Sequence, residues 1–300
     1  MRALLLALVL ALLAFPAAAS ADEAPFIDWS SWLPPSPGTY QPSSEDACRS
    51  GRPSCVDQVI HAMTNRFDRE ARTCDHDAMF ALTYLRTTEE YQRASLTPGF
   101  FTDPNFVNHE DAVFAGYYFD AYDDWHNNRR SQVPEAWRIA LDAADRKQVS
   151  GIGDMLLGIN AHINRDLPYV LAGIGLVKPD GSSRKPDHDK VNQFLDDVTP
   201  KLYPELARRF DPTVDDADLP GWLDDMATFQ AFPAMREAAW RNAERLVNAS
   251  TPAQRQLVET SIEQGAALTA QSIRAATAYP PIIGGTAARD SYCAQHHDDR

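Results

Sequence analysis

"LLGINAHINRDL", residues 156–167, starts as an apolar helical run and ends among polar groups. Leu156, Leu157 and Ile159 suit a buried helix, yet Asn160, His162, Asn164, Arg165 and Asp166 follow at once. Burying such groups without partners costs about 1–3 kcal/mol each, so each needs one. At ~100° per residue, His162 and Asp166 lie about 40° apart on a helical wheel. Gly151, Met155, Gly158 and Tyr169 fall near the same line. The stripe is otherwise small or apolar, so the pair points inward, beneath a close helix contact that the glycines permit. An inward imidazole and carboxylate one turn apart suit a buried His–Asp hydrogen bond, or a divalent cation.

The same helical spacing extends in both directions. Val56, Val59, Ile60, Met63 and Phe67 mark a helix from Ser54, and Met79, Phe80, Leu82, Tyr84 and Leu85 another, capped by Asp75. A third runs from about Asp103 to His126, and Pro134 opens a fourth at its favoured first-turn position. After the loop "KPDGSSRKPDHD", helical patterns resume at 188–210, 219–248 and 251–278, the last with Thr251-Pro252 as its start. Pro200, Pro204 and Pro233 should kink or divide their segments. Period-two alternation is almost absent. The expected fold class is all-α, a single multi-helix bundle of about eight helices with an irregular N-terminal arm.

Three segments are expected: a signal peptide over 1–21, a Pro-, Ser- and aromatic-rich arm over 22–52, and a helical domain over 53–300. Arg2, the apolar run from Ala3 to Phe15, and Ala19-Ser20-Ala21 have the pattern of an export signal. No other stretch is long and apolar enough to span a bilayer, so the expected localisation is secreted. Phe26, Trp29, Trp32 and Tyr40 would lay the arm over the body, and the tail "RDSYCAQHHDDR" reads as peripheral. A formal charge of −14 argues against binding long nucleic acids, which need a basic face. Four cysteines in an exported chain suggest disulfides, with three pairings possible. One joins Cys48 to Cys55 across a short loop and Cys74 to Cys293 near the tail.

Further histidines could join the first pair. His188 opens a helical pattern with Asn192 one turn later. His76 sits in the first turn of its helix, and His109 precedes Glu110 and Asp111. Helical bundles build metal sites from such inward groups on different helices. For two of them there is a plainer structural role: a helix start beside a disulfide for His76, a solvated turn for His109.

"CDHDAMFALTYLRTTEEY", "FAGYYFDAYDDW", "LLGINAHINRDL" and "REAAWRNAERL" resemble an uncharacterised, mainly actinobacterial all-helical family, a domain of unknown function with an Ala-His-Ile-Asn-x-Asp-Leu signature. Residues 162–196 are more loosely similar to the zinc-dependent phospholipase C and single-strand nuclease superfamily. There one helix carries His-x-x-x-Asp, matched by His162 and Asp166, and a later one carries His-x-x-x-Glu or His-x-x-x-Asp, of which His188 matches the histidine. Asn192 replaces the second carboxylate, and the expected mature terminus is Asp22, where the superfamily has a ligating Trp.

The expected cofactor is one or two zinc ions held by His76, His109, His162, Asp166 and His188, with Asn164 and Asn192 supporting them. The second resemblance implies His76, His162, Asp166 and His188 of this set, and His109 joins as a further bundle histidine. Such a zinc would bring its bound water toward a pKa of ~7. Asp166 would bridge two ions or act as catalytic base. The implied activity is a secreted, phospholipase C-like hydrolase of phosphate esters, its substrate a small phosphate ester or a phospholipid headgroup. The alternative is a non-catalytic exported binding or scaffold protein whose polar core is structural.

Overall fold

The computed structural model describes residues 38–279 and 286–299, apart from 196, 215–220, 222, 223, 225, 226 and 228. The expected signal peptide and Phe26, Trp29 and Trp32 lie outside the described residues. Tyr40 does lie over the body, its ring 5.2 Å from that of Phe106.

The described chain is all-helical, with two isolated β-bridges and no strand. The helices are α1 (Ala47–Ser50), α2 (Pro53–Thr73), α3 (Ala78–Ser95), α4 (Pro104–His126), α5 (Glu135–Asp145) and α6 (Gly151–Asn160). A π-helical turn, Ala161–Asp166, continues α6 directly into α7 (Leu167–Ile174). Then follow α8 (Lys185–Lys190), α9 (Asn192–Leu195), α10 (Thr199–Arg209), α11 (Phe232–Val247), α12 (Pro252–Thr277) and α13 (Ala287–His296).

There are more helices than the eight expected, for local reasons. The pattern over 188–210 breaks into α8, α9 and α10, with Pro200 in the first turn of the last. Pro204 stays inside α10, while Pro233 stands in the first turn of α11, after a turn at 229–231, and so divides the expected 219–248 pattern. Within the expected irregular arm, the Asp46 carboxylate accepts from the backbone amides of Cys48 and Arg49 and so starts α1. Asp103, Ser150 and Thr251 cap α4, α6 and α12 in the same way.

One continuous apolar core runs from Cys48 to Cys293. Its axis is α6, buried at every position and packed against α3, α5 and α12. The contact with α3 is very close at Gly158: a Cβ there would stand 2.3 Å from the ring of Phe80. The π turn packs against α4, α5, α11 and α12. No helix among the described residues is long and apolar enough to cross a membrane.

Two disulfides close the fold, Cys48–Cys55 and Cys74–Cys293. The tail is not peripheral. Cys293 is fully buried, Arg289 nearly so, and Asp290 reaches His76 and Lys147. The bridge draws α13 onto the end of α2, and these polar contacts hold it there.

Candidate functional site

His162 and Asp166 share the π turn, where the helix winds wider by one residue, a distortion that recurs at functional sites. His162 Nδ1 lies 3.1 Å from Asp166 Oδ2. The same carboxylate accepts from Trp137 Nε1 at 2.8 Å and from Arg165 Nη1 at 3.0 Å. Arg165 also donates to Glu263 of α12 at 2.9 Å. Asp166 is thus a fully enclosed acceptor tying α5, α12 and the π turn together.

That arrangement decides the His162 tautomer. Burial pulls its imidazole pKa below the ordinary range, against the opposing influence of Asp166. The ring is therefore neutral at pH 7. Its single proton sits on Nδ1, where it is donated to Asp166, and Nε2 keeps a lone pair. The ring is stacked flat on Phe114, 3.5 Å between centroids and 7° between planes, with Tyr84 edge-on at 4.5 Å. Nε2 is buried and has no hydrogen-bond partner in the protein.

His162 lines a cavity of about 100 Å³ bounded by α3, α4, α6, the π turn, the start of α7, α9 and α11. Phe80, Val107, Phe114, Ile159, Leu167 and Phe194 form its apolar walls. Tyr84, Thr88, Glu110, Asp111 and Arg236 interrupt them. The Tyr84 and Thr88 hydroxyls and Asp111 Oδ2 are also buried without a partner in the protein. Burial, and then the neighbouring Glu110, push the Asp111 carboxyl up to about 8. Burial likewise brings the Arg236 guanidinium down to about 10. Arg236 Nη2 donates to the His188 carbonyl at 2.9 Å, whereas Nε has no partner.

The remaining expected ligands stand elsewhere. His76 is held on both ring nitrogens, by Asp154 at 2.8 Å and Asp290 at 3.2 Å. Burial opposes its charge, but the two carboxylates outweigh burial and its pKa rises. His109 donates Nδ1–H to the Cys48 carbonyl at 2.8 Å and packs beside Tyr40, at the α1 end of α4; burial lowers its pKa. His188 sits behind the cavity wall, bonded to Arg236 by both ring nitrogens at 3.1 and 3.3 Å. Burial and the Arg236 charge lower its pKa. Asn164 donates to Asn160 Oδ1 at 2.9 Å, and Asn192 Oδ1 has no partner in the protein.

Of the expected zinc ligands, only His162 and Asp166 meet. The described residues contain no group of three or more His, Cys, Asp or Glu able to hold a metal ion. The two carboxylates at His76 lie on opposite edges of its ring, and Asp166 is saturated by nitrogen donors. These residues do not fit a shared zinc.

Several cavity residues are hidden in the sequence by their own regularity. Tyr84, Thr88 and Phe114 look like parts of core stripes. Arg236 carries the one usable signal, since Phe232, Ala239 and Trp240 surround it at helical spacing and are all buried. An arginine on an apolar face asks for an explanation.

The model of one protein family matches residues 56–276, and it is described as a family of unknown function, DUF5995. The chain belongs to the DUF5995 family. No curated protein and no solved structure matches it. The match spans α3, α4, α6, the π turn and α11, so the described cavity lies within the DUF5995 domain and the disulfide-bound tail outside it.

Proposed function

We propose that this DUF5995 chain binds a small, largely apolar molecule in the cavity beside His162, as an exported binding protein. Two disulfides suit an oxidising compartment outside the cytoplasm. The observation that carries the reading is the gathering of partnerless buried polar atoms on one apolar cavity: His162 Nε2, the Tyr84 and Thr88 hydroxyls, and Asp111 Oδ2. Each such atom costs about 1–3 kcal/mol when left unpaired, and folded proteins keep few of them. A bound molecule that pairs with them recovers that loss. An apolar hollow with a few convergent polar groups is the ordinary form of a small-molecule site.

Benzene tests the cavity itself. Titration calorimetry on the full chain should show saturable binding, abolished in a folded Ile163→Phe variant that fills the space. Binding that survives the filling lies elsewhere, and its absence in the wild type removes the reading.

His162 favours a second reading. A neutral imidazole oriented by a carboxylate, with Nε2 open to a cavity, is the arrangement of a general base. Turnover of a bound molecule would then depend on His162, with Asp166 fixing its tautomer. The hydrolysis of a phosphate ester suits the cavity poorly, because its walls are largely apolar and Glu110 would oppose a phosphate.

A further inference from the structure

Resting on the binding reading, we infer that the occupant of the cavity is an uncharged molecule bearing a hydroxyl group, which it donates to His162 Nε2.

The demand for a donor comes from the hydrogen bonding behind the ring. Asp166 already accepts from Trp137 and Arg165, so toward His162 it can only accept. The imidazole proton is thereby kept on Nδ1, and Nε2 faces the cavity as an acceptor. A pure acceptor such as an ether or ketone leaves it unpaired.

The demand for neutrality comes from the two sides of the cavity. Glu110 of α4 opposes an anion, while the buried guanidinium of Arg236 on α11 opposes a cation; Asp111, which keeps its proton up to about pH 8, adds no charge at pH 7. Phe80, Phe114, Ile159 and Leu167 between them would strip either ion of water without replacing it. A hydroxyl carries no charge, donates once and accepts as well. The Tyr84 and Thr88 hydroxyls, also partnerless on this cavity, can donate back to it.

Size limits the rest of the molecule. The cavity, at about 100 Å³, is smaller than the ~150 Å³ cavity that accepts benzene. Half-buried Thr87, Glu110, Asp111 and Val191 lie along its solvent side. The occupant is therefore a single ring reaching toward that side, or the end of a longer molecule emerging there.

Four probes of similar shape separate these demands: phenol, benzene, benzoate and benzylammonium, titrated calorimetrically into the full chain at pH 7. Phenol should bind about ten- to a hundred-fold more tightly than benzene, the gain from pairing a buried acceptor. Both ions should bind more weakly than benzene. In His162→Phe, which keeps a ring against Phe114, phenol should fall to the level of benzene. Nitrogen NMR of the wild-type imidazole supplies a reading that does not depend on the variant folding: His162 Nε2 should shift with phenol and stay still with benzene. Phenol binding no tighter than benzene, or leaving Nε2 unmoved, overturns the hydroxyl while the cavity reading stands. Tightest binding by benzoate or benzylammonium overturns neutrality. Failure of all four, benzene included, removes the binding reading beneath it.

Discussion

Asp166 shows how much one buried side chain can hold. It accepts from Trp137, His162 and Arg165 and is itself sealed from water. Asp166→Ala strands all three donors, and removing one partner of a buried charged network costs about 3–5 kcal/mol. Urea unfolding should show a loss of that size; a loss under about 1 kcal/mol, the scale of an exposed pair, would contradict the described network. Asp111 makes a prediction about pH. An aspartate ordinarily ionises near ~4, whereas burial and then Glu110 hold this one up to about 8. Between those values the unfolded chain has lost the proton and the folded chain keeps it. Folding therefore binds a proton, and this contribution to stability falls as pH rises through the window. Asp111→Asn has no proton to lose, so its melting temperature should drop less than the wild type's between pH 5 and pH 8. Equal drops would show that Asp111 ionises as an exposed residue does.

At the scale of elements, the crossing of α3 and α6 is the tightest joint near the cavity. Gly158→Ala would drive a methyl group into Phe80, which itself forms part of the cavity wall. Overpacking of this kind costs about 1–3 kcal/mol, and the displaced ring should weaken benzene binding as well. Denaturation midpoints and calorimetry on the same variant check both; an unchanged midpoint would mean that α3 and α6 can separate freely. This joint was legible in the sequence, because glycines on the line of His162 and Asp166 signal close approach. The capped starts of α4 and α12 at Asp103 and Thr251 were legible for the same local reason. What could not be read was anything that depends on direction in space. Histidine spacing does not say that His76 turns toward Asp290, or that His109 turns toward the Cys48 carbonyl. The inward pair was visible from its own helix. The cavity it faces is made by Asp111, Tyr84 and Arg236, residues 111, 84 and 236 brought together only by packing.

At the scale of the whole molecule, the two disulfides differ in what they enclose. Cys48–Cys55 spans 7 residues and Cys74–Cys293 spans 219. In the chain-entropy account a longer loop stabilises more, about 5 kcal/mol for the long bridge against roughly 2–3 for the short. Cys74→Ser with Cys293→Ser should therefore lower the melting temperature more than Cys48→Ser with Cys55→Ser, as scanning calorimetry would measure. The reverse order would mean that the contacts of α13, including His76 with Asp290, hold the tail without the bridge. The spacing also has a consequence for how the chain matures. A polypeptide emerging from its N-terminus presents Cys48 and Cys55 together, long before Cys293 exists. Once that pair has oxidised, Cys74 finds no rival thiol among the four, and only the late arrival can join it. Wherever the nearest neighbours pair first, one outcome remains of three.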